Sequence, residues 1–230
     1  MPCARAVRGG NRRSVPCPTR HSKRCMLTRS VYAVLLLGSM HSELRRARCL
    51  KMSSISSTYR CILDVAGGPG SISIQIGLRH PHLKGIVMDM APVCAIAREH
   101  IQRNNLADRF TAVAADLFAG PYPEDVDVIV LASILHDWNE PECQLILRNC
   151  FDSLPRGGLL LVVEKVLNND FAGARLDDLM QDLHMLLVSR PGARERTEAE
   201  FASLLLSAGF GSLEVKRLAA PRDVILTVKN

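Results

Sequence analysis

One histidine and several acids stand where predicted strands end, which is where an α/β protein collects its reactive side chains. Asp64, Asp89 and Asp116 fall within or at the ends of the first three predicted strands, and His136 and Glu164 follow or end the next two. Carboxylates accept hydrogen bonds from ligand hydroxyls, and a neutral histidine can take a proton near neutral pH. Because the carboxyl ends of parallel strands meet at one edge of a sheet, we expect these side chains to share one ligand site.

The first of these acids precedes a glycine-rich turn. Cys61–Ser71 contains a short apolar strand followed by three close glycines, Gly67, Gly68 and Gly70. Such a turn lets the backbone approach a nucleotide closely, and the N-terminus of the next helix offers unpaired N–H groups. The spacing differs from the dinucleotide fingerprint G-x-G-x-x-G, because an acid lies inside the strand and the glycines stand closer together. The stretch predicts a nucleotide-binding βα unit with a helix over Ser71–Arg79.

A second acid is a candidate contact for the same ligand. Asp89 ends the predicted strand Gly85–Met90, 19 residues beyond Gly70. An acid at this place can accept hydrogen bonds from both ribose hydroxyls of a nucleoside. The same aspartate could instead simply end the strand or cap the predicted helix Ala91–Asn104.

The alternation of strands and helices predicts the fold class. Near-continuous apolar runs such as Val126–Leu131 are typical of parallel strands covered on both faces, and strands alternating with helices indicate a doubly wound sheet. Thr197 and Glu200 form a capping box at the start of a helix, and Leu213–Leu218 and Asp223–Val228 are predicted to pair antiparallel. We therefore expect an α/β fold with a doubly wound, mostly parallel, Rossmann-like sheet that ends in an antiparallel strand pair. The remaining predicted elements are strands at Thr111–Asp116 and Leu159–Val163 and helices at Glu140–Leu154, Ala174–Val188 and Glu198–Ala208.

Charge divides the chain into two parts. Residues 1–60 carry 13 Lys and Arg and one acid, whereas residues 61–230 carry 16 Lys and Arg and 22 acids. The domain predicted over 61–230 is therefore acidic and shows no sign of the basic face that binds nucleic acid. The apolar run Val31–Leu37 is far shorter than the roughly 20 residues of a membrane helix. We expect neither nucleic acid nor a membrane as a partner.

Residues 1–60 also differ from the rest in composition. The first 30 are rich in Arg, Ser, Pro and Cys and lack apolar periodicity, which is typical of disorder or of a targeting peptide. A misassigned gene start is a third interpretation. The eight cysteines of the chain form no C-x-x-C pair, so we expect free thiols, a reducing compartment and a cytoplasmic protein.

Three motifs together resemble one enzyme family. They are Leu135–Trp138 (Leu-His-Asp-Trp), the strand end Val163–Glu164, and Arg194–Thr197 (Arg-Glu-Arg-Thr) leading to Ala208–Phe210. In this order and spacing they resemble the plant-type small-molecule O-methyltransferases, which include caffeic acid, acetylserotonin and bacterial natural-product O-methyltransferases. The glycine turn is similar to motif I of the class I S-adenosylmethionine-dependent methyltransferases, with Ala66 where that family most often has its first glycine.

The resemblance implies methyl transfer from S-adenosylmethionine to a hydroxyl of a small aromatic acceptor, with His136 as general base. A phenol with a pKa near 10 keeps its proton at neutral pH, so a base must remove it as the new bond forms. Glu164 and Glu195 match the two family glutamates beside the histidine, where a carboxylate can fix the imidazole tautomer. A structural role for His136 and surface ion pairs for the glutamates are the alternatives.

The resemblance also assigns the cofactor contacts. Asp116 is expected to accept from the adenine amino group, and Leu117 to pack on the adenine ring. The full predicted set is Asp64, Gly67, Gly68, Gly70, Asp89, Met90, Asp116, Leu117 and Ser133.

Two residues are predicted at the acceptor. Met185 matches a family position where methionine packs against the aromatic acceptor, although it could equally fill the core. Asp137 could bind the acceptor or cap the next helix. The resemblance implies no metal ion, since the carboxylates match cofactor and histidine-support positions.

The chain departs from the family at its N-terminus. Family members carry a long helical domain there that forms an intertwined homodimer and closes the acceptor pocket, whereas residues 1–60 are too short for it. Two other functions stay open. One is a non-catalytic, truncated S-adenosylmethionine-binding protein; the other is a nicotinamide-dependent oxidoreductase, for which the usual third glycine and a Tyr/Lys pair are missing from the sequence.

Overall fold

A seven-stranded sheet and a separate pair of short strands position the candidate site residues that the structure describes. The computed structural model describes residues 58–168, 180, 182–183, 190–218 and 222–230. The strands of the sheet are β1 (Cys61–Val65), β2 (Lys84–Asp89), β3 (Phe110–Ala114), β4 (Val128–Ala132), β5 (Leu159–Glu164), β8 (Leu213–Lys216) and β9 (Asp223–Val228), and a separate pair consists of β6 (Val166–Leu167) and β7 (Arg196–Thr197).

The strand order confirms the predicted fold class. The order is β3-β2-β1-β4-β5-β9-β8. The first five strands pair in parallel, and β9 runs antiparallel to both β5 and β8. The order reverses between β1 and β4, so the carboxyl ends of these two strands flank a crevice in which doubly wound folds bind ligands.

Four helices whose bounds lie within the described ranges cover the two faces of the sheet. They are α1 (Ser71–Arg79), α2 (Ala91–Arg103), α3 (Glu140–Ser153) and α4 (Glu198–Ala208), and each lies within one residue of its predicted bounds. The predicted capping box is present, because Thr197 Oγ1 accepts from the Glu200 N–H at 3.3 Å and Glu200 Oε2 accepts from the Thr197 N–H at 2.8 Å. The helix predicted over 174–188 lies outside the described residues except at 180 and 182–183, which are helical.

Alternating strand residues divide the core into two layers. On β1, Leu63 and Val65 point toward the layer that also holds Ile146 of α3 and Leu205 of α4. Ile62 points the other way, into the layer formed with α1 and α2. Successive side chains of a strand point to opposite faces. Because helices cover both faces of this sheet, the side chains on both faces are apolar.

Two short elements that the sequence did not predict shape the ligand edge. A 3-10 turn, Leu135–Asp137, follows β4 directly. The strands β6 and β7 pair in parallel, with Val166 opposite Arg196. Since β6 begins two residues after Glu164 and β7 begins one residue after Glu195, this pairing brings the two glutamates together.

The described cysteines match the prediction of free thiols. Cys94, Cys143 and Cys150 are buried and, like Cys61, carry free thiols; burial raises the pKa of the Cys143 thiol to about 11. Within the part of the chain that the structure describes, no helix combines the length and apolar character needed to cross a membrane.

Candidate active site

The glycine turn after β1 is built around a buried carboxylate. Asp64 is 1% exposed, and its Oδ2 accepts from the Ser73 N–H at 3.4 Å. A Cβ added to Gly67 would lie 2.5 Å from Asp64 Cγ, so no larger residue fits above the carboxylate. Gly68 and Gly70 have φ values of 56° and 74°, in the left-handed region that favours glycine. Asp64 therefore supports the turn from below and lies beneath the surface that a ligand would meet.

Asp89 links the same turn to the end of β2. Its Oδ2 accepts from the Gly68 N–H at 2.8 Å, and its Oδ1 accepts from the Met90 N–H at 2.7 Å. Burial raises the pKa of this carboxyl group, and the two backbone bonds oppose that effect. The cap position of α2 is occupied by Met90 without any side-chain bond. The helix-cap alternative for Asp89 is therefore wrong, and the carboxylate is held at the ligand edge.

A cleft of about 720 Å³ opens beside Asp89. Of the nine predicted cofactor residues, Asp89, Met90, Asp116 and Leu117 line it. Most of its lining is apolar, which suits an adenine ring or another planar group. The lining residues are Ala66, Met88, Asp89, Met90, Ala91, Ala114, Ala115, Asp116, Leu117, Phe118 and Trp138.

An aromatic pair closes one side of this cleft. The rings of Phe118 and Trp138 meet edge to face, with centroids 4.7 Å apart, and Arg190 Cζ lies 4.1 Å from the Trp138 ring centroid. Sequence reasoning did not place Phe118 here. Its position two residues after Asp116, in the turn that follows β3, is the signal that could have found it.

Two of the predicted cofactor residues, Asp116 and Ser133, lie in turns that follow strands. Asp116 lies two residues beyond β3 and is exposed; its Oδ1 accepts from the Phe118 N–H at 2.9 Å. Ser133 follows β4 with a φ of 56°, and its N–H donates to the Val163 carbonyl at 3.0 Å. A positive φ in a non-glycine residue is held by surrounding contacts and is common at ligand sites.

His136 lies in the 3-10 turn after β4 and faces two buried glutamates. Its Nδ1 lies 3.1 Å from Glu195 Oε1 and 3.8 Å from Glu164 Oε2. The histidine is 7% exposed, Glu195 2% and Glu164 0%. The structure therefore brings the three predicted catalytic residues together, in a buried place where a surface ion pair is not an adequate description of the glutamates.

Glu164 also fixes the turn that carries the histidine. Its Oε1 accepts from the Ile134 and Leu135 N–H groups at 2.8 and 2.9 Å. The Arg194 N–H donates to the His136 carbonyl at 2.9 Å, and the Glu195 N–H donates to Asp182 Oδ1 at 2.9 Å. The ring of His136 is thus held from β5 and from the segment that precedes β7.

A fourth charged residue, Arg222, completes the cluster, and the sequence did not predict it. Its Nη1 lies 3.0 Å from Glu195 Oε1, 3.7 Å from Glu164 Oε2 and 3.4 Å from His136 Nδ1. The residue is 6% exposed. The signal that could have found it is its place just before the last strand, which pairs with the strand that ends in Glu164.

The pKa values in this cluster are set by burial and by these neighbours. Burial lowers the pKa of His136, but the Glu164 charge and the Glu195 hydrogen bond outweigh that effect, so the pKa is raised above 6.5. Burial raises the pKa of Glu164 above its usual range. For Glu195 burial is outweighed by the His136 hydrogen bond and the Arg222 charge, and the pKa is lowered. Glu195 therefore remains ionised beside the histidine.

Spacing alone would let the same three side chains hold a metal ion. One atom each from His136, Glu164 and Glu195 can be chosen so that all lie within 4.8 Å of one another. However, the Arg222 guanidinium already lies within 3.7 Å of both carboxylates and of the imidazole. A cation placed among the three residues would meet this positive charge, so the donor set does not fit a metal and we assign no metal ligands.

Asp137 and Met185 are the residues predicted at the acceptor. Asp137 Oδ1 lies 3.9 Å from His136 Nε2, and burial raises the pKa of its carboxyl group. The cap of α3 is Asn139, whose side chain accepts from the Glu142 N–H at 3.0 Å. The helix-cap alternative for Asp137 is therefore wrong. Met185 lies outside the described residues.

Fold and site together define the class. A doubly wound sheet whose single antiparallel strand lies next to one edge, with its cleft at the strand ends, is the architecture of class I S-adenosylmethionine-dependent methyltransferases. A solved structure of this class, human N-acetylserotonin methyltransferase in complex with S-adenosylmethionine, superposes with a TM-score of 0.80 at 26% identity and covers 88% of this chain and 57% of that one.

The chain belongs to the O-methyltransferase domain family, whose profile matches residues 28–211. The 3-hydroxy-5-methyl-1-naphthoate 3-O-methyltransferase of Streptomyces sahachiroi is 38% identical over 76% of this chain and 50% of its own length. Another relative, aclacinomycin 10-hydroxylase of Streptomyces purpurascens, is 37% identical over 66% of this chain and 40% of its own length. The resemblance found in the motifs is confirmed. The chain spans about half the length or less of these curated relatives.

Proposed function

We propose that this protein transfers a methyl group from S-adenosylmethionine to a hydroxyl of a small aromatic acceptor, with His136 as general base. The observation that carries the proposal is the buried contact of 3.1 Å between His136 Nδ1 and Glu195 Oε1. A neutral imidazole that donates its Nδ1 proton to Glu195 keeps the lone pair of Nε2 free. That nitrogen can then accept a proton from a hydroxyl group.

The residues around the cleft fit the proposed cofactor. Asp89 would accept hydrogen bonds from ribose hydroxyls, because each of its oxygens keeps a lone pair after binding one backbone N–H. Asp116 and Leu117 would face the adenine, and the turn at Gly67 and Gly68 would allow close approach of the backbone. When bound there, S-adenosylmethionine supplies an electrophilic methyl group on its sulfonium.

The protein residues would then handle the proton. As the acceptor oxygen bonded to the methyl carbon, the bond from that carbon to sulfur would break, and its electron pair would stay on the departing thioether, S-adenosylhomocysteine. The hydroxyl proton would pass to His136 Nε2, and the ring would become an imidazolium. Glu195 at 3.1 Å and Glu164 at 3.8 Å lie close enough to stabilise this charge. We propose that no metal ion takes part, since Arg222 lies where such an ion would be held.

The acceptor class rests on the aromatic pair at one side of the cofactor cleft and on the relatives. Phe118 and Trp138 offer flat apolar surface beside the site, and aromatic groups pack well against such rings. The relatives described above are named for a naphthoate, for N-acetylserotonin and for aclacinomycin. A cytoplasmic location fits the free thiols of the described cysteines, since disulfides are rare in that compartment.

Replacing the proposed base tests this function. With a panel of phenols, naphthols and hydroxyindoles and labelled S-adenosylmethionine, His136→Gln should lower the rate of methyl transfer by about 10²–10⁴-fold and leave cofactor affinity unchanged in calorimetry. The pKa of His136 is raised above 6.5. In the wild type the rate should therefore increase as the pH rises through this pKa, because the imidazole loses its proton there. The variant should lack this increase.

The exposed His82 provides the matched control, and His82→Gln should keep both rate and pH profile. Near-normal turnover in His136→Gln would remove His136 as the base. Binding of S-adenosylmethionine without transfer to any acceptor would favour the non-catalytic alternative. Because one relative is named as a hydroxylase, the products should also be weighed by mass spectrometry. This measurement distinguishes an added methyl group from an added oxygen atom.

A further inference from the structure

We propose that Arg222 is a positioning residue that supplies the counter-charge to Glu164 and Glu195 and so keeps His136 in its neutral, proton-accepting form. This inference rests on the proposed function, because it explains how the base stays usable. Arg222 belongs to none of the motifs that identify the family, and nothing in the chemistry of methyl transfer requires it.

The contacts of Arg222 are those of a buried charge with a definite set of partners. Its Nη1 donates to Glu195 Oε1 at 3.0 Å and lies 3.7 Å from Glu164 Oε2. The same atom lies 3.4 Å from His136 Nδ1. A guanidinium that is 6% exposed is expensive to bury unless it is paired, so its place among these groups is held by charge.

The charges of the cluster indicate how the arginine affects the protonation of His136. Two buried carboxylates next to one imidazole would strongly favour the imidazolium, which cannot accept a proton. With Arg222 present, one negative charge is balanced, and the cluster carries one net negative charge when the imidazole is neutral. The arginine also repels the net positive charge of an imidazolium and thereby opposes the pull of the glutamates toward that form.

The other charged groups around His136 do not replace this function. Asp137, on the same turn, lies 3.9 Å from Nε2 and adds a further negative charge. Asp182 accepts from the backbone of Glu195, and Arg190 pairs with Glu142 at 3.1 Å. Arg196 is buried but donates to the Leu135 and Trp138 carbonyls. Among the described residues, Arg222 is therefore the cation that faces the imidazole directly.

The position of Arg222 follows from strand pairing. In the register of β5 and β9, Glu164 lies opposite Asp223. The residue before Asp223 is thus carried to the end of β5, where the carboxylate of Glu164 is buried. Arg222 reaches the cluster from a strand on the other side of β5 from the turn that carries His136.

The test is a direct titration of His136 in the full chain. Histidine labelled with ¹³C at Cε1 gives one NMR signal for each of the seven histidines, and the signal missing from His136→Gln identifies residue 136. Arg222→Gln, which can still bond to Glu195 but carries no charge, should move the titration midpoint of His136 to higher pH by about one to three pH units. Arg222→Lys, which keeps the charge, should leave the midpoint close to that of the wild type.

Arg217→Gln is the matched control, because Arg217 pairs with Asp223 and Glu198 but does not touch His136. The titration midpoint of His136 should be the same in this variant as in the wild type. An unchanged midpoint in Arg222→Gln would overturn the proposal. If Arg222→Gln does not fold, adding Glu195→Gln should restore folding by removing the uncompensated charge, and failure to restore it would overturn the proposal as well. The titration needs neither acceptor nor cofactor, so its outcome is independent of whether the chain transfers methyl groups.

Discussion

Asp89 holds two parts of the candidate cofactor site together through a single carboxylate. Its two oxygens accept from the N–H groups of Gly68 and Met90, so the glycine turn, β2 and the start of α2 meet at one side chain. Each oxygen can accept another hydrogen bond, and both ribose hydroxyls of a nucleoside could be met in this way. A carboxylate held from behind by the backbone is preorganised for its ligand, because little of its orientation is left to be fixed on binding.

Removing this carboxylate should weaken cofactor binding without unfolding the chain. Asp89→Ala should lower the affinity for S-adenosylmethionine by about tenfold to a hundredfold, the usual worth of hydrogen bonds to a charged group. Isothermal titration calorimetry measures the change. Asp108→Ala, at an exposed aspartate outside the cleft, is the control and should bind like the wild type. Equal affinities for the two variants would contradict the ribose assignment.

The sequence predicted the residues of the site better than their surroundings. His136, Glu164 and Glu195 could be chosen because each stands in a short motif. Arg222 could not, because its role depends on the pairing of β9 with β5, which joins residues far apart in the chain. Asp64 and Asp89 were both expected to touch the cofactor, but the structure buries Asp64 under Gly67 and leaves Asp89 at the cleft. The depth of a side chain below a turn is not readable from spacing.

The pair of short strands β6 and β7 is the element on which the proposed base depends. Glu164 precedes one strand and Glu195 the other, so the pairing of Val166 with Arg196 decides how closely the two carboxylates approach His136. Arg196 supports the same element, because its guanidinium donates to the Leu135 and Trp138 carbonyls at 2.7 and 2.8 Å. The turn that carries His136 is therefore hydrogen-bonded to β7, which leads directly into α4.

The cap of α4 allows the stability of this region to be tested. Thr197→Ala removes the hydroxyl that accepts from the Glu200 N–H and should lower the free energy of unfolding by about 1 kcal/mol, the typical value for such a cap. Urea denaturation followed by circular dichroism measures it. Ser207→Ala, at an exposed position of the same helix, removes a hydroxyl that caps nothing and should be neutral or slightly stabilising. Equal losses in both variants would show that the cap itself contributes nothing.

The regular elements could be predicted because local signals agreed with the packing. Ser71–Arg79 and Glu198–Ala208 match their predicted bounds, since a glycine turn begins the first and a capping box begins the second. Strand bounds shifted by one or two residues: β4 begins at Val128 and not at Val126, because pairing with both neighbours sets where a strand begins. The pair β6–β7 was missed, since two-residue strands carry no periodicity.

At the scale of the whole molecule, the candidate cofactor site gathers contributions from half of the sheet. Asp64, Asp89, Asp116 and Ser133 stand within or after β1, β2, β3 and β4 respectively. A ligand bound at the ends of these neighbouring strands would resist any motion that separates them. Binding should therefore stabilise the fold as a unit, because the unfolded chain offers no such site.

This coupling gives a test of cofactor choice that needs no acceptor. At a concentration of about 100 times Kd, S-adenosylmethionine should raise the free energy of unfolding of the full chain by about 2.7 kcal/mol, measured as a higher urea midpoint. Asp89→Ala at the same ligand concentration should gain less, because its Kd is larger. NAD is the control ligand, since the closely spaced glycines of the turn do not match a dinucleotide fingerprint. Stabilisation by NAD but not by S-adenosylmethionine would reverse the assignment and favour the oxidoreductase alternative. Stabilisation by S-adenosylmethionine alone would agree with the proposed ribose contact at the end of β2 and the proposed adenine contacts after β3.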